Sequence, residues 1–275
     1  MLVCGLKKSY GLAQGRTKKV KRHVQYHTKN GPIRVNVASQ SMLETAVRDK
    51  FKQKQGFSLA TINLDHLVKM DRDVGFYDAY MRQDFVVADG NPIVWTSRIA
   101  AQPVDLLPGS DLVLPMCEWA RGESRSIALL GSTQEALEAS AKALTDKVPG
   151  LEVATMIAPP FGFDANSDAA AELLAQVETS GASLCFLALG APKQELLAAR
   201  GAEFAPSVGF ASIGAGLDFY AGTQTRAPRW VRAIAMEWVW RLALNPKRLW
   251  KRYFDSGMIM PRLVLQALKD RRHDP

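Results

Sequence analysis

The chain has 275 residues, of which 47% are hydrophobic and 23% are charged, and its formal net charge is +8. This composition is typical of a folded protein with a substantial core, and it excludes a chain that is disordered throughout. The three cysteines are far apart and lack metal-ligand spacing, which excludes a disulfide-based fold and favours thiols in a reducing compartment.

The first 30 residues are basic and aperiodic, and we interpret residues 1–30 as a mobile arm. Residues 1–35 contain nine Lys/Arg and no acidic residue, whereas residues 36–224 contain 14 basic and 23 acidic residues. No signal-peptide core and no run of 18 apolar residues occurs, so we expect a cytoplasmic protein without a membrane-spanning segment. Basic ends attract nucleic acid, anionic lipid or phosphorylated substrates.

From residue 33 onward, short apolar runs alternate with helical patterns. Helices are predicted at residues 133–148, capped by Ser132 or Thr133, and at residues 167–180. This alternation predicts an α/β body over residues 31–224, with a Rossmann-like parallel sheet flanked by helices. The predicted strands cover residues 33–38, 57–63, 84–89, 126–131, 152–158, 183–190 and 208–215.

Residues 225–275 lack β-runs and predict a C-terminal helical appendage of two or three helices. This segment has twelve Lys/Arg and four acidic residues. A four-residue spacing predicts one helical stripe, formed by Trp230, Ile234, Trp238 and Leu242, which either meets a membrane surface or packs on the body.

Polar residues close two of the predicted strands, where ligands bind in open parallel sheets. Thr61, Asn63 and Asp65 follow one strand, and they are either site residues or helix caps. Asp89 follows another strand, and it is either a general base or the cap of the helix that starts at Pro92.

Two glycine-containing segments follow later strands. In LGAPKQE, a turn at Gly190 precedes a helix start that carries Gln194. The second segment contains Asp218 and Arg226, and it suits a nucleotide or diphosphate pocket, or is simply a loop with a salt bridge. His23 and His27 have metal-pair spacing but no third ligand, so we expect no metal and no cofactor.

Together and in this order, seven segments resemble the WecG/TagA/CpsF glycosyltransferase family, glycosyltransferase family 26. They are TINLDHL, VVADGNPIVW, PGSDLV, ALLGS, LALGAPKQE, SIGAGLDFYAG and the RAPRW…KRY tail, within residues 33–255. The resemblance implies inverting sugar transfer from a UDP-sugar to an undecaprenyl-diphosphate-linked acceptor. The sugar is of N-acetylmannosamine type, with mannosaminuronic acid or glucose as alternatives.

The resemblance also implies roles for individual residues. Asp89 is the expected catalytic base. The expected substrate-binding residues are Thr61, Asn63, Gln194, Asp218, Arg226, Arg241, Arg248 and Arg252. No acidic pair is positioned for a metal, so we expect metal-independent transfer in which appendage arginines stabilise the departing diphosphate.

The appendage predicts peripheral attachment to an anionic membrane surface, on the cytoplasmic face of the inner membrane, through its tryptophans and basic residues. One alternative is a soluble sugar-nucleotide enzyme that does not act on lipid. A nucleic-acid-binding protein is disfavoured because no recognisable binding motif is present. A homo-oligomer is compatible with the sequence.

Overall fold

The computed structural model describes residues 23–224, 227, 228, 230, 231 and 234–272, except the side chain of Arg248. These residues begin with an antiparallel hairpin of β1 (Gln25–Thr28) and β2 (Gly31–Arg34). The hairpin buries Tyr26 and Ile33. The Tyr26 hydroxyl donates a hydrogen bond of 2.8 Å to the Ile93 carbonyl.

The hairpin corrects two expectations from the sequence. The interpretation of residues 1–30 as an arm is wrong from Gln25 onward, and residues 1–22 lie outside the described part of the chain. The bounds of the strand predicted at 33–38 are also wrong, because only its first two residues belong to β2. The segment then runs along the sheet edge, where the Val37 amide donates to the Val86 carbonyl.

The other six predicted strands are confirmed and form one parallel sheet, in the order β4-β3-β8-β7-β5-β6. This arrangement confirms the Rossmann-like α/β fold. The strands are β3 (Phe57–Ile62), β4 (Phe85–Ala88), β5 (Ile127–Gly131), β6 (Val153–Ile157), β7 (Leu184–Ala188) and β8 (Gly209–Ser212).

Helices cover both faces of the sheet, so alternate residues of each strand enter different cores. Leu59, Leu129 and Phe186 enter one core, whereas Ala60, Leu130 and Leu187 face the opposite side. The helices of the body are α1 (Gln40–Gln53), α2 (Leu64–Met70), α3 (Val74–Met81), α4 (Asn91–Ile99), α5 (Gly109–Gly122), α6 (Gln134–Lys147), α7 (Asp168–Thr179), α8 (Lys193–Phe204) and α9 (Gly216–Tyr220).

The two helices predicted at 133–148 and 167–180 are confirmed as α6 and α7. The Thr133 side chain accepts a hydrogen bond from the Ala136 amide and caps α6, and Ser167 caps α7 in the same way. Capping by a hydroxyl satisfies an amide that has no partner within the helix.

The strand order locates the place where ligands bind in this kind of sheet. The connection after β5 leads to β6 on one side, and the connection after β7 leads to β8 on the other. Connections that diverge in this way leave a crevice at the carboxyl ends of the two strands. The turns after β5, β7 and β8 therefore form one flank of the candidate site, and the turns after β3 and β4 form the other.

The described part of the tail contains α10 (Glu237–Leu244), α11 (Pro246–Met258) and α12 (Met260–Arg272). Helix α11 packs on α2, and α12 packs on α4. Helix α12 also contacts the hairpin, because the Gln266 side chain accepts from the His27 amide at 3.1 Å and donates to the Gln25 carbonyl at 2.8 Å.

The prediction of one helical stripe in the tail is wrong, as is the alternative in which this stripe packs on the body. Ala235 has a φ of 60°, which interrupts the helical path, and α10 begins only at Glu237. Three side chains of the expected stripe are well exposed: Trp230 at 67%, Ile234 at 59% and Trp238 at 48%. These side chains therefore form a surface and not a buried contact.

Candidate active site

Asn63 and Asp89 follow the neighbouring strands β3 and β4, and their side chains meet. The Asn63 Oδ1 accepts a hydrogen bond of 3.1 Å from the His66 amide, which caps α2. Its Nδ2 donates to the Asp89 Oδ2 at 3.3 Å. The helix-cap and site interpretations of Asn63 are therefore compatible, since the two ends of one amide serve different partners.

Asp89 has no capping role in the helix that follows it. Helix α4 begins at Asn91, and no side chain caps its first turn. The Asp89 backbone amide donates to the Ile62 carbonyl at 2.8 Å, which fixes the residue against the end of β3. The alternative in which the Asp89 side chain caps this helix is thereby excluded.

The surroundings of Asp89 raise the pKa of its carboxyl group above the ordinary value. Burial is the main cause, and the charge of Glu237 adds to it. The hydrogen bond from Asn63 and the charges of Arg241 and Arg252 act in the opposite direction. A carboxyl group with a raised pKa is a better proton acceptor near neutral pH than a fully solvated one.

Two arginines of the tail, Arg241 and Arg252, lie near the candidate site, and each forms an ion pair with an acidic residue. The Arg252 Nε lies 3.2 Å from the Asp65 Oδ2, and the Lys69 Nζ lies 3.0 Å from the same oxygen. Arg241 forms an ion pair with Glu237, and its guanidinium carbon lies 6.0 Å from the centre of the Phe219 ring.

Two further ion pairs join the tail to the body of the protein. They connect Arg72 to Asp255 at 3.0 Å and Arg262 to Asp71 at 2.9 Å. The predicted Arg226 lies outside the described residues, as does the side chain of Arg248.

The second flank of the site contains Gln194 and Asp218. Gln194 is 2% exposed, and its Oε1 accepts a hydrogen bond of 2.9 Å from the Gly214 amide. Asp218 accepts hydrogen bonds from the Ser132 hydroxyl at 3.2 Å and from the Gln224 side-chain amide at 2.8 Å. These contacts connect the turns after β5, β7 and β8.

The two flanks lie on one edge of the sheet and are linked by Lys69. Its Nζ donates a hydrogen bond of 3.2 Å to the Ala191 carbonyl, in the turn after β7. Because all six strands are parallel, Asp89 and Gln194 are at the same edge. This shared edge is the spatial condition that the transferase hypothesis requires.

Thr61 lies within β3, and only 4% of its surface is exposed. Its carbonyl accepts a hydrogen bond of 2.6 Å from the Tyr80 hydroxyl, and the His66 Nδ1 lies 2.8 Å from the same oxygen. Burial lowers the pKa of His66 to about 4. His66 is therefore a neutral, structural residue at neutral pH.

Sequence reasoning missed two contacts of this site, the ion pair of Lys69 with Asp65 and the hydrogen bond of Ser132 with Asp218. Lys69 was detectable in principle, because it stands four residues after Asp65 on one helix. The bond between Ser132 and Asp218 joins residues 86 positions apart, and no local pattern signals it. In the described part of the chain, no group of three or more His, Cys, Asp or Glu side chains is arranged to hold a metal ion.

Comparison with known proteins identifies the family of this chain. The model of the glycosyl transferase WecG/TagA/CpsF family matches residues 29–274. The chain belongs to this family. The resemblance inferred from the sequence is therefore confirmed, and the protein is a glycosyltransferase.

Two bacterial relatives of this WecG/TagA/CpsF chain carry the same description, N-acetylglucosaminyldiphosphoundecaprenol N-acetyl-beta-D-mannosaminyltransferase. The protein from Bacillus subtilis (strain 168) is 24% identical over 241 residues, which cover 87% of this chain and 90% of the relative. The protein from Bacillus spizizenii is 24% identical over 234 residues, covering 84% of this chain and 85% of the relative.

Proposed function

We propose that this glycosyltransferase moves a sugar from a UDP-sugar to a polyprenyl-diphosphate-linked sugar, with inversion and without a metal ion. The observation that carries the proposal is the hydrogen-bonded pair of Asn63 and Asp89, with the charges of two tail arginines acting on the same carboxyl group. One site thus combines a proton acceptor with cations suited to a diphosphate.

Asp89 acts as the general base in this mechanism. Its carboxylate takes the proton from the acceptor hydroxyl while that oxygen attacks the anomeric carbon of the donor sugar. The bond from this carbon to the UDP oxygen breaks in the same displacement, so the configuration inverts and UDP leaves with the electron pair. Burial raises the pKa of Asp89, which makes it a stronger base.

The arginines of the tail stabilise the charge that grows on the departing diphosphate. Arg241 and Arg252 are paired with Glu237 and Asp65, so diphosphate binding exchanges a carboxylate partner for phosphate oxygens. A guanidinium group binds such oxygens bidentately, which replaces the role of a divalent ion. Arg226 and Arg248 are proposed to contact the same diphosphate.

The second flank is proposed to bind the donor. The turns that Gln194 and Asp218 connect lie at the crevice between β5 and β7, where nucleotides bind in sheets of this topology. Thr61, at the end of β3, stands between this flank and the base. The relatives' description supports a donor sugar of N-acetylmannosamine type.

The tail is proposed to dock on an anionic membrane surface at the cytoplasmic face. Trp230, Trp238 and Trp250 are exposed there, together with basic residues such as Lys251. Tryptophans at a lipid interface and cations near anionic headgroups favour peripheral attachment, at about 1 kcal/mol per well-placed basic residue. Among the described helices, none is long and apolar enough to cross a membrane.

A panel of UDP-sugars, assayed against prenyl-diphosphate-linked N-acetylglucosamine with EDTA present, tests the proposal. The wild type should turn over, and Asp89→Asn should lose about 10²–10⁴-fold in kcat, the usual contribution of a general base. Asp146→Asn, on the exposed face of α6, is the matched control and should keep full activity. Equal rates for the wild type and Asp89→Asn would refute the assignment of the base.

Co-sedimentation with vesicles tests the membrane part separately. Vesicles of anionic phospholipid should bind the protein, and neutral vesicles should bind it more weakly. Full activity on a lipid-linked acceptor without any vesicle binding would favour an enzyme that works in solution.

A further inference from the structure

A buried carboxyl group with no part in the proposed chemistry lies beside Gln194. Glu195, in the first turn of α8, is 0% exposed. Its Oε1 accepts a hydrogen bond of 2.8 Å from the Gln194 Nε2, whereas its Oε2 has no hydrogen-bond partner among the described residues. Burying a carboxyl group with incomplete hydrogen bonding is unfavourable, which indicates a role other than stability.

The partner of Glu195 connects two turns of the donor flank. Gln194 is the second residue of α8, just after the turn at Gly190, and its Oε1 accepts from the amide of Gly214 in the turn after β8. These glycines have φ values of 71° and 59°, which only glycine adopts readily. A Cβ at either position would meet no described atom within 4 Å, so both turns border open space.

The amide of Gln194 must keep one orientation to connect these turns. Its oxygen can accept from the Gly214 amide, but its nitrogen cannot. The Glu195 carboxylate accepts only from the nitrogen end, so it disfavours the flipped amide. Burial raises the pKa of Glu195 to about 7, and the hydrogen bond from Gln194 opposes this rise.

A second buried amide provides a comparison. The Gln83 Nε2 donates a hydrogen bond of 3.1 Å to the backbone carbonyl of Glu195. Its Oε1 likewise lacks a partner within the described part of the protein. Gln83 therefore supports the start of α8, and within the described part of the chain it forms no hydrogen bond with Gln194 or with the glycine turns.

We propose that Glu195 is a positioning residue for glycosyl transfer. Its buried carboxyl group orients the Gln194 amide, which holds the turns after β7 and β8 at the separation that the nucleotide of the donor requires. This proposal rests on the UDP-sugar donor proposed above. It assigns Glu195 to donor binding and leaves proton transfer to Asp89.

Volume-matched variants test this role: Glu195→Leu, Gln194→Met, both together, and Gln83→Met as the control. Glu195→Leu should raise the KM for the UDP-sugar at least tenfold, with kcat within threefold of wild type. Its Tm should change by no more than about 4 °C, because removal of a desolvated carboxyl group offsets the cost of leaving the Gln194 Nε2 without its partner. Glu195→Gln retains an oxygen that can accept the same hydrogen bond, so its KM should be close to that of the wild type.

The double variant should raise KM no further than the more affected single variant, because both substitutions act through one amide. Gln83→Met should change Tm but not KM. A KM that follows Tm across all variants, or additive effects in the double variant, would show that Glu195 is merely structural.

Hydrogen exchange at the Gly214 amide, followed by NMR, separates this proposal from the proposed function. Exchange should accelerate at least tenfold in Glu195→Leu and stay unchanged in Gln83→Met. Unchanged exchange in Glu195→Leu would overturn the positioning role for any donor. A wild type that turns over no UDP-sugar, but whose Gly214 amide responds as expected, would refute the donor and leave the orientation of Gln194 standing.

Discussion

The two contacts of Asn63 can be separated by substitution, and this gives the sharpest prediction. Asn63→Ser keeps an oxygen that can cap α2 but loses the N–H group that donates to Asp89. Asn63→Ala loses both contacts. Loss of a helix cap costs about 1 kcal/mol, which corresponds to about 2–4 °C in Tm for a domain of this size. We therefore expect a lower Tm for the Ala variant and a nearly unchanged Tm for the Ser variant.

The catalytic effect should follow the hydrogen bond and not the cap. The bond from Asn63 lowers the pKa of Asp89, so its loss raises that pKa and moves the acid limb of the kcat/KM profile to higher pH. A hydrogen bond to a charged group contributes about 1.5 kcal/mol, or about tenfold in rate at the acid end. Both variants should show this loss, and both should approach wild type on the alkaline side.

Asn63→Asp extends the series, because it keeps the cap and places a second carboxyl group beside the base. Its acid limb should move furthest to higher pH, since two adjacent carboxylates resist ionising together. Ser167→Ala, which removes the cap of α7, is the stability control and should leave the pH profile unchanged. Superimposable profiles for Asn63→Ser and the wild type would refute the reasoning.

Three further predictions concern other parts of the molecule. Glu237→Gln removes a charge that raises the pKa of the proposed base, so the acid limb should move to lower pH; a move to higher pH would contradict the assigned charges. Arg252→Gln should lower kcat/KM at least tenfold but Tm by no more than about 3 °C, because Lys69 keeps its ion pair with the same Asp65 oxygen. Burial raises the pKa of Cys117 to about 12 and also raises that of Cys185, so peptide mass spectrometry should find neither alkylated by iodoacetamide at pH 8 until the protein unfolds.

The parallel sheet and its site edge were predictable because their signals are local. Each buried strand appears as a short apolar run, and Asp89 stands at the end of one of them. Parallel strands place such ends on one edge, so the fold class puts Asn63 and Asp89 on the same edge, whereas their hydrogen bond also requires β3 and β4 to be neighbours. The capping role of Asn63 was also visible, since Asn is a favoured residue at that position.

The remaining features depend on contacts between distant segments. The hairpin lies in a stretch dominated by charge, and its burial comes from packing against α4 and the tail. The stripe expected through Ile234 and Trp238 assumed a continuous helix, whereas the left-handed backbone at Ala235 interrupts it. No periodicity reveals that interruption, because Ala is a good helix former.

The hydrogen bonds between Gln266 and the hairpin join segments more than 200 positions apart, so the first and last described elements are in direct contact. The chain is synthesised in order, so the hairpin lacks this contact until α12 has been synthesised. Helix α12 also carries the cation that pairs with Asp71. Packing of the hairpin is thus completed only when α12 is present, and a nascent chain that stops before α12 lacks the contacts that this helix makes with the hairpin and with Asp71.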